Sequence, residues 1–264
     1  MYAQYASIII IALSALLNPY LLPLIGAPTS VCPNDFVHAG NNVCLIQINQ
    51  NANYCNAHKI CEQEGLRRQL RLFIPARHSS RMYSTFSNLE FAYTSWSATL
   101  NRSSNLRAGW RVGDPGYADL VTNDNDQSIN WADTEPNVAE QAVALYKWAR
   151  VFDEYQAAIQ ATSVICEISS HPTGRKVERF QANWPHKLAS FFATGKHTCG
   201  CFNNIMASTL LQCASHCKKR AECRSLYFQE TTKQCLLSLY VDSLLPPAFS
   251  STTYRWARFG RPEW

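Results

Sequence analysis

Eleven cysteines carry the clearest chemistry in this chain. They fall at positions 32, 44, 55, 61 and 166, then at 199, 201, 213, 217, 223 and 235. In an oxidising compartment such a set is a disulfide framework. The odd number leaves at least one thiol free or joined to another chain. Cys199-Gly200-Cys201 beside His197 offers metal-type donors, but no second ligand pair stands at zinc-like spacing. Two other groups are capable of chemistry. Asp153-Glu154 and the pair Glu135/Glu140 place carboxylates close in sequence, as acid–base catalysis of glycoside cleavage requires. Adjacent acids are also common in loops. The seven histidines (38, 58, 78, 171, 186, 197, 216) are scattered. The chain has no Gly-x-Ser-x-Gly elbow, P-loop, dinucleotide fingerprint or His-Glu-x-x-His motif. The sequence therefore reads as a binding protein and not an enzyme.

The N-terminus agrees with an oxidising destination. Residues 7–17 form an apolar run too short to span a bilayer, and Asn18, Pro19 and Pro23 break its continuation. The expectation is a secretory signal over residues 1–30, cleaved between Ala15 and Ser30. The alternative is an uncleaved anchor reaching Ile25. Asn101-Arg102-Ser103 is an N-glycosylation sequon, so Asn101 is the expected acceptor. With 47% hydrophobic and 16% charged residues, the remainder can build a core.

The elements that must position these residues divide into two segments. The cysteines leave a gap between Cys61 and Cys166. Residues 169–176 are polar, contain Pro and Gly, and read as a linker. Charge shifts there too. Residues 1–170 hold 11 Lys and Arg against 14 Asp and Glu, net −3, while residues 171–264 hold 13 against 5, net +8. The halves are thus expected to meet different partners. Nucleic acid is a poor fit, because no stacking or groove-reading motif accompanies the basic half.

In the first segment, residues 35–48 read as a hairpin around a Gly-Asn-Asn turn. Residues 53–64 read as a helix with Tyr54, Ala57, Ile60 and Cys61 on one face, Asn53 as N-cap and Gly65 as the stop. Residues 80–89 read as a weaker helix. From Ser95 onward the chain reads as loops and short strands, with strand candidates at 141–148 and 162–168. In the second segment, residues 208–221 read as a helix with Leu210, Leu211, Cys213, Ala214 and Cys217 on one side. Residues 223–228 and 235–238 then form a hairpin.

Residues 31–168 resemble a C-type lectin-like domain. The resemblance rests on the hairpin cysteines, the helix ending in Cys61, Trp96, Ile129-Asn130-Trp131, Glu135-Pro136-Asn137 and the closing Val164-Ile165-Cys166-Glu167. It implies the bridges Cys32–Cys44 and Cys61–Cys166. It also implies a cis peptide before Pro136 and a Ca²⁺ site that holds vicinal sugar hydroxyls. The ligands would be Glu135, Asn137, Glu140 and Asp153, in the order typical of mannose binders. Calcium wants six to eight oxygens. Two departures weaken that site. Phe152 stands where the family has a ligating Asn, and a second loop disulfide is replaced by Ala142 and Gln156. Asp114, Asp119, Asp124 and Asp126 could hold an auxiliary Ca²⁺, but such residues are more often turn formers.

Residues 177–260 resemble a PAN/apple domain through Cys213-x3-Cys217, Cys223, the aromatic strand and Cys235-x-Leu237. This implies Cys213–Cys235 and Cys217–Cys223. Of Cys199 and Cys201, one is expected to reach Cys55 and the other to remain available for an intermolecular bond; the sequence leaves open which. Lys187, Lys196, Lys218, Lys219, Arg220, Arg224, Arg255, Arg258 and Arg261 are candidates for a face that takes an anionic glycan or a protein. Scattered surface charge is the competing reading. The expected whole is an α+β protein: a disulfide-stabilised lectin-like domain, then a small antiparallel sheet with one helix. Its expected function is secreted recognition of glycans or cell-surface glycoproteins. The alternative is a calcium-independent protein-binding module that uses the same loops, with Trp148 and Phe152 as anchors.

Overall fold

A computed structural model describes residues 32–101, 103–171, 177–195, 200–250 and 255–264. The expected signal segment, residues 172–176 of the expected linker, and Lys196, His197 and Cys199 lie outside the described residues.

Strands β1 (Val37–His38) and β2 (Cys44–Ile48) form the first hairpin. Helix α1 (Tyr54–Arg68), β3 (Leu72–Phe73), helix α2 (Arg81–Thr85) and β4 (Phe91–Ser97) come after it. Next come β5 (Val143–Lys147), β6 (Arg150–Glu154) and β7 (Val164–Ile168). The second half contributes β8 (Gln181–Ala182), β9 (Cys201–Met206), helix α3 (Leu210–Lys219), β10 (Cys223–Gln229), β11 (Gln234–Leu239) and β12 (Trp256–Gly260). The strands make three antiparallel sheets, ordered β1-β2-β7-β3, β4-β5-β6 and β8-β12-β10-β11-β9. Among the described residues, no sheet mixes strands from before and after residue 170.

Local chemistry sets the helix ends. Asn53 Oδ1 accepts the Asn56 N–H at 2.9 Å, which starts α1. Its buried face is Tyr54, Ala57, His58, Cys61 and Gly65. Gly65 does not stop the helix. The chain turns at Gln69, which adopts a left-handed φ of 57° and donates to the Gly65 and Leu66 carbonyls. Gly65 is needed for a different reason: a Cβ there would lie 2.7 Å from the Leu70 carbonyl oxygen. In α3 the hydroxyl of Thr209 accepts the Gln212 N–H at 3.1 Å, and Gln212 Oε1 accepts the Ser208 N–H at 2.7 Å. This reciprocal pair resembles a capping box. Helix α2 is shorter than its sequence suggests. Strand β4 is buried along most of its length and so shows no alternation in sequence, and β6 lies beyond the strand candidate at 141–148.

Five disulfides brace the chain: Cys32–Cys44, Cys61–Cys166, Cys213–Cys235, Cys217–Cys223 and Cys55–Cys201. Cys61–Cys166 closes a separation of 105 residues, worth about 4–5 kcal/mol in the chain-entropy picture. Cys55–Cys201 joins the halves across 146 residues. Around it, one hydrophobic cluster takes Tyr93 and Leu145 from the first half together with Leu226, Leu237 and Tyr240 from the second. Gln156, at a position of the missing loop bridge, instead donates from Nε2 to Cys55 Sγ at 2.8 Å.

Candidate functional site

Two regions concentrate charge, and they are built differently. The first is the junction of the halves. Glu62 of α1 receives Arg220 at 3.1 Å and the Tyr240 hydroxyl at 2.5 Å. His58 stacks on Tyr240 with centroids 4.7 Å apart, and burial lowers its pKa to about 3, so it stays neutral. Thr99 donates to the Asp242 carbonyl at 2.9 Å. The Asp242 carboxylate meets Arg258 at 2.8 Å and Arg224 at 3.6 Å, all three side chains fully buried. Trp264 lies between the guanidiniums of Arg71 and Arg224, 4.7 and 4.4 Å from its ring. Arg261 pairs with Glu178 at 2.6 Å.

The expected basic face is thereby corrected. Arg224, Arg258 and Arg261 are buried and hold the fold together, and Arg220 is tied to Glu62. The sequence could not show this, because an arginine that packs on Trp264 reads like one that faces solvent.

The second region is the loop from Asp133 to Gln141 and the strand β6 beneath it. The Glu135–Pro136 peptide is cis. Glu135 Oε1 accepts from Asn137 Nδ2 at 3.0 Å. Asp153, buried in β6, accepts the N–H groups of Asn137 and Val138 at 3.3 Å each. Glu135 Oε2 is buried without a hydrogen-bond partner. Burial, reinforced by the Asp153 and Glu154 carboxylates, pushes the Glu135 carboxyl up to about 8. Glu135, Asn137 and Asp153 thus converge. Glu140 is exposed and lines a separate cleft of about 470 Å³, with Thr99, Asn101, Ser103 and Thr194. The further acid that acts on Glu135 is instead Glu154, which the sequence marks only as a candidate for acid–base chemistry.

The donor set suits calcium in kind. Two carboxylates and an amide carbonyl are oxygen donors, and Glu135 Oε2 lacks the partner a cation would supply. Among the described residues no three His, Cys, Asp or Glu side chains form a ligand group, so the amide is essential to the fit. Of the other expected acids, two have structural partners. Asp114 is buried and accepts from the Ala76 and Arg77 backbone and from Ser95, which fixes a loop. Asp126 accepts the Ser128 N–H at 2.7 Å, forming a turn. Asp119 and Asp124 are exposed.

Beside this loop the β5–β6 turn carries Trp148, 69% exposed and at φ 51°. Lys147 Nζ sits 3.8 Å from its ring centroid, and Phe152 meets it edge-on at 6.0 Å. Asn101 is exposed at its loop.

Residues 196–255 match the PAN domain. No curated protein sequence matches the chain. Among solved structures, the C-type lectin CEL-I from Cucumaria echinata is 16% identical, covering 53% of this chain and 99% of its own, with a TM-score of 0.39. The C-type lectin domain of murine dendritic cell inhibitory receptor 2, solved in complex with N-glycan, is 17% identical over 53% of this chain and 99% of its own, TM-score 0.38. A calcium-independent type II antifreeze protein is 15% identical over 52% and 92%, TM-score 0.37. At these scores the likeness carries no functional argument. The chain is a mixed helix–sheet protein with five disulfides among the described residues, C-type lectin domains as structural neighbours of its first half, and a match to the PAN domain over residues 196–255.

Proposed function

We propose that this chain is an extracellular recognition protein whose first half binds glycan hydroxyls through a Ca²⁺ held by Glu135, Asn137 and Asp153. The observation that carries this reading is the pair of acids without a built-in counter-cation: the Glu135 carboxyl lies against Asp153, and burial with that neighbour pushes it up to about 8, so that it keeps a proton a cation could displace. Like charges held together without a counter-cation are costly, and a divalent ion removes the cost. Bound there, the metal would supply the open coordination that vicinal sugar hydroxyls occupy. The chain's own part is to hold the Asn137 amide against Glu135 and to fix the loop on Asp153 through two backbone N–H groups. Glu140, which lines a separate cleft, is not part of this three-residue set.

An extracellular setting is supported by five disulfides. Among the described residues no helix is long and apolar enough to cross a membrane. A glycan at Asn101 belongs to the same proposal, since its side chain is exposed. The chain's role is binding, without a catalytic step.

One observation favours a second reading, a calcium-independent protein contact: Trp148 projects from its turn with Lys147 and Phe152 against it. Calorimetric titration of the purified protein with Ca²⁺, then with mannose at saturating Ca²⁺, separates the two. Saturable calcium binding abolished by Asp153→Asn, followed by calcium-dependent sugar binding, is expected. Absence of calcium heat would transfer the proposal to Trp148.

A further inference from the structure

The second half has a cleft of about 420 Å³ that the fold does not use. Its apolar lining includes Leu210 at the start of α3 and Phe228 in β10, and two cations, Lys233 and Arg255, line it against one acid, Glu230. The volume lies in the range typical of binding pockets, roughly 300–1,000 Å³.

Three features point to a ligand there. Lys233 and Arg255 are exposed and make no ion pair among the described residues, unlike the arginines at the junction. Met206 and Leu211 are 64% and 81% exposed. Met206 lies across from Gln234, next to Lys233. Finally, β8 pairs only with Phe259 and Gly260 of β12. The Trp256–Ala257 end of β12 therefore has no strand on that side among the described residues.

We infer that this cleft docks an acidic peptide segment of a partner protein. A large apolar side chain would sit on Leu210 and Phe228, and the peptide's carboxylates would meet Lys233 and Arg255. Charge complementarity sets the partner's sign, since the exposed Lys233 and Arg255 outnumber Glu230 in the lining. The exposed Met206 and Leu211 and the open strand end suit a peptide better than a saccharide, which has few apolar groups to cover them. The proposal is independent of the calcium reading.

The test is selection of random displayed heptapeptides on the intact chain, followed by affinity measurement with the enriched peptides made synthetically. Enriched sequences are expected to combine Asp or Glu with one large apolar residue. Their affinity is expected to drop at least ten-fold against Lys233→Glu plus Arg255→Glu, and to weaken with added salt. Both positions are exposed, so an unchanged melting temperature shows that the variant is folded. Failure to enrich acidic peptides overturns the proposal, as does equal binding by the variant. So does a heparin oligosaccharide that binds through these two residues while no peptide does.

Discussion

Two clusters of buried or half-buried carboxylates in this chain behave in opposite ways. At the junction, burial alone would raise the Asp242 carboxyl, but Arg258 and Arg224 hold it below its ordinary value. In the loop, burial and the neighbouring acids Asp153 and Glu154 raise Glu135. Asp242 has its counter-charges built into the fold, whereas Glu135 does not. The difference separates charge that holds a structure together from charge that is set up to receive something. Among the bases the same contrast divides Arg224 and Arg258 from Lys233 and Arg255.

The sharpest way to break the comparison is at the junction. Asp242→Asn leaves the Arg224 and Arg258 guanidiniums buried without compensation, and is expected to cost about 3–5 kcal/mol in denaturant unfolding. With the carboxylate intact, this stabilisation is present above the ordinary Asp value and is lost as pH falls through the lowered one. Removing the cross-link by Cys55→Ala with Cys201→Ala is expected to cost about 2–4 kcal/mol. Limited proteolysis should then cut between the halves. At the loop the sign reverses. Glu135→Gln removes a repulsion that is absent below about pH 4.5 and full above about 8. The variant is therefore expected to melt higher than the parent at pH 8 without calcium, by less than about 1 kcal/mol given its exposure, and equally at pH 4. Trp148→Ala should change stability by less than about 0.5 kcal/mol, because the ring is mostly in solvent. Any loss of partner binding it caused would strengthen the protein-contact reading.

Much of this architecture is legible in the sequence. Cysteine spacing and apolar periodicity mark α1 and α3, and the β10–β11 hairpin follows from Cys223, the aromatic run and Cys235. The extent of α1 is not legible, because Gly65 signals a stop in sequence but serves a close approach to Leu70 in space. Neither is the fate of the arginines, which depends on Trp264 and Asp242 arriving from distant parts of the chain. Of the four expected calcium ligands, Glu135, Asn137 and Asp153 come together, while Glu140 faces another cleft. Sequence order cannot say which side of a turn a residue leaves. The cleft at Trp256 gives no signal at all, since its lining comes from elements far apart in the chain.

The most direct test of the central claim is the melting temperature of the purified protein at pH 8 in excess chelator and in millimolar Ca²⁺, beside Glu135→Gln. The account predicts that calcium raises the melting temperature of the parent by several degrees and leaves the variant unmoved. Identical melting of the parent in chelator and in calcium would contradict it.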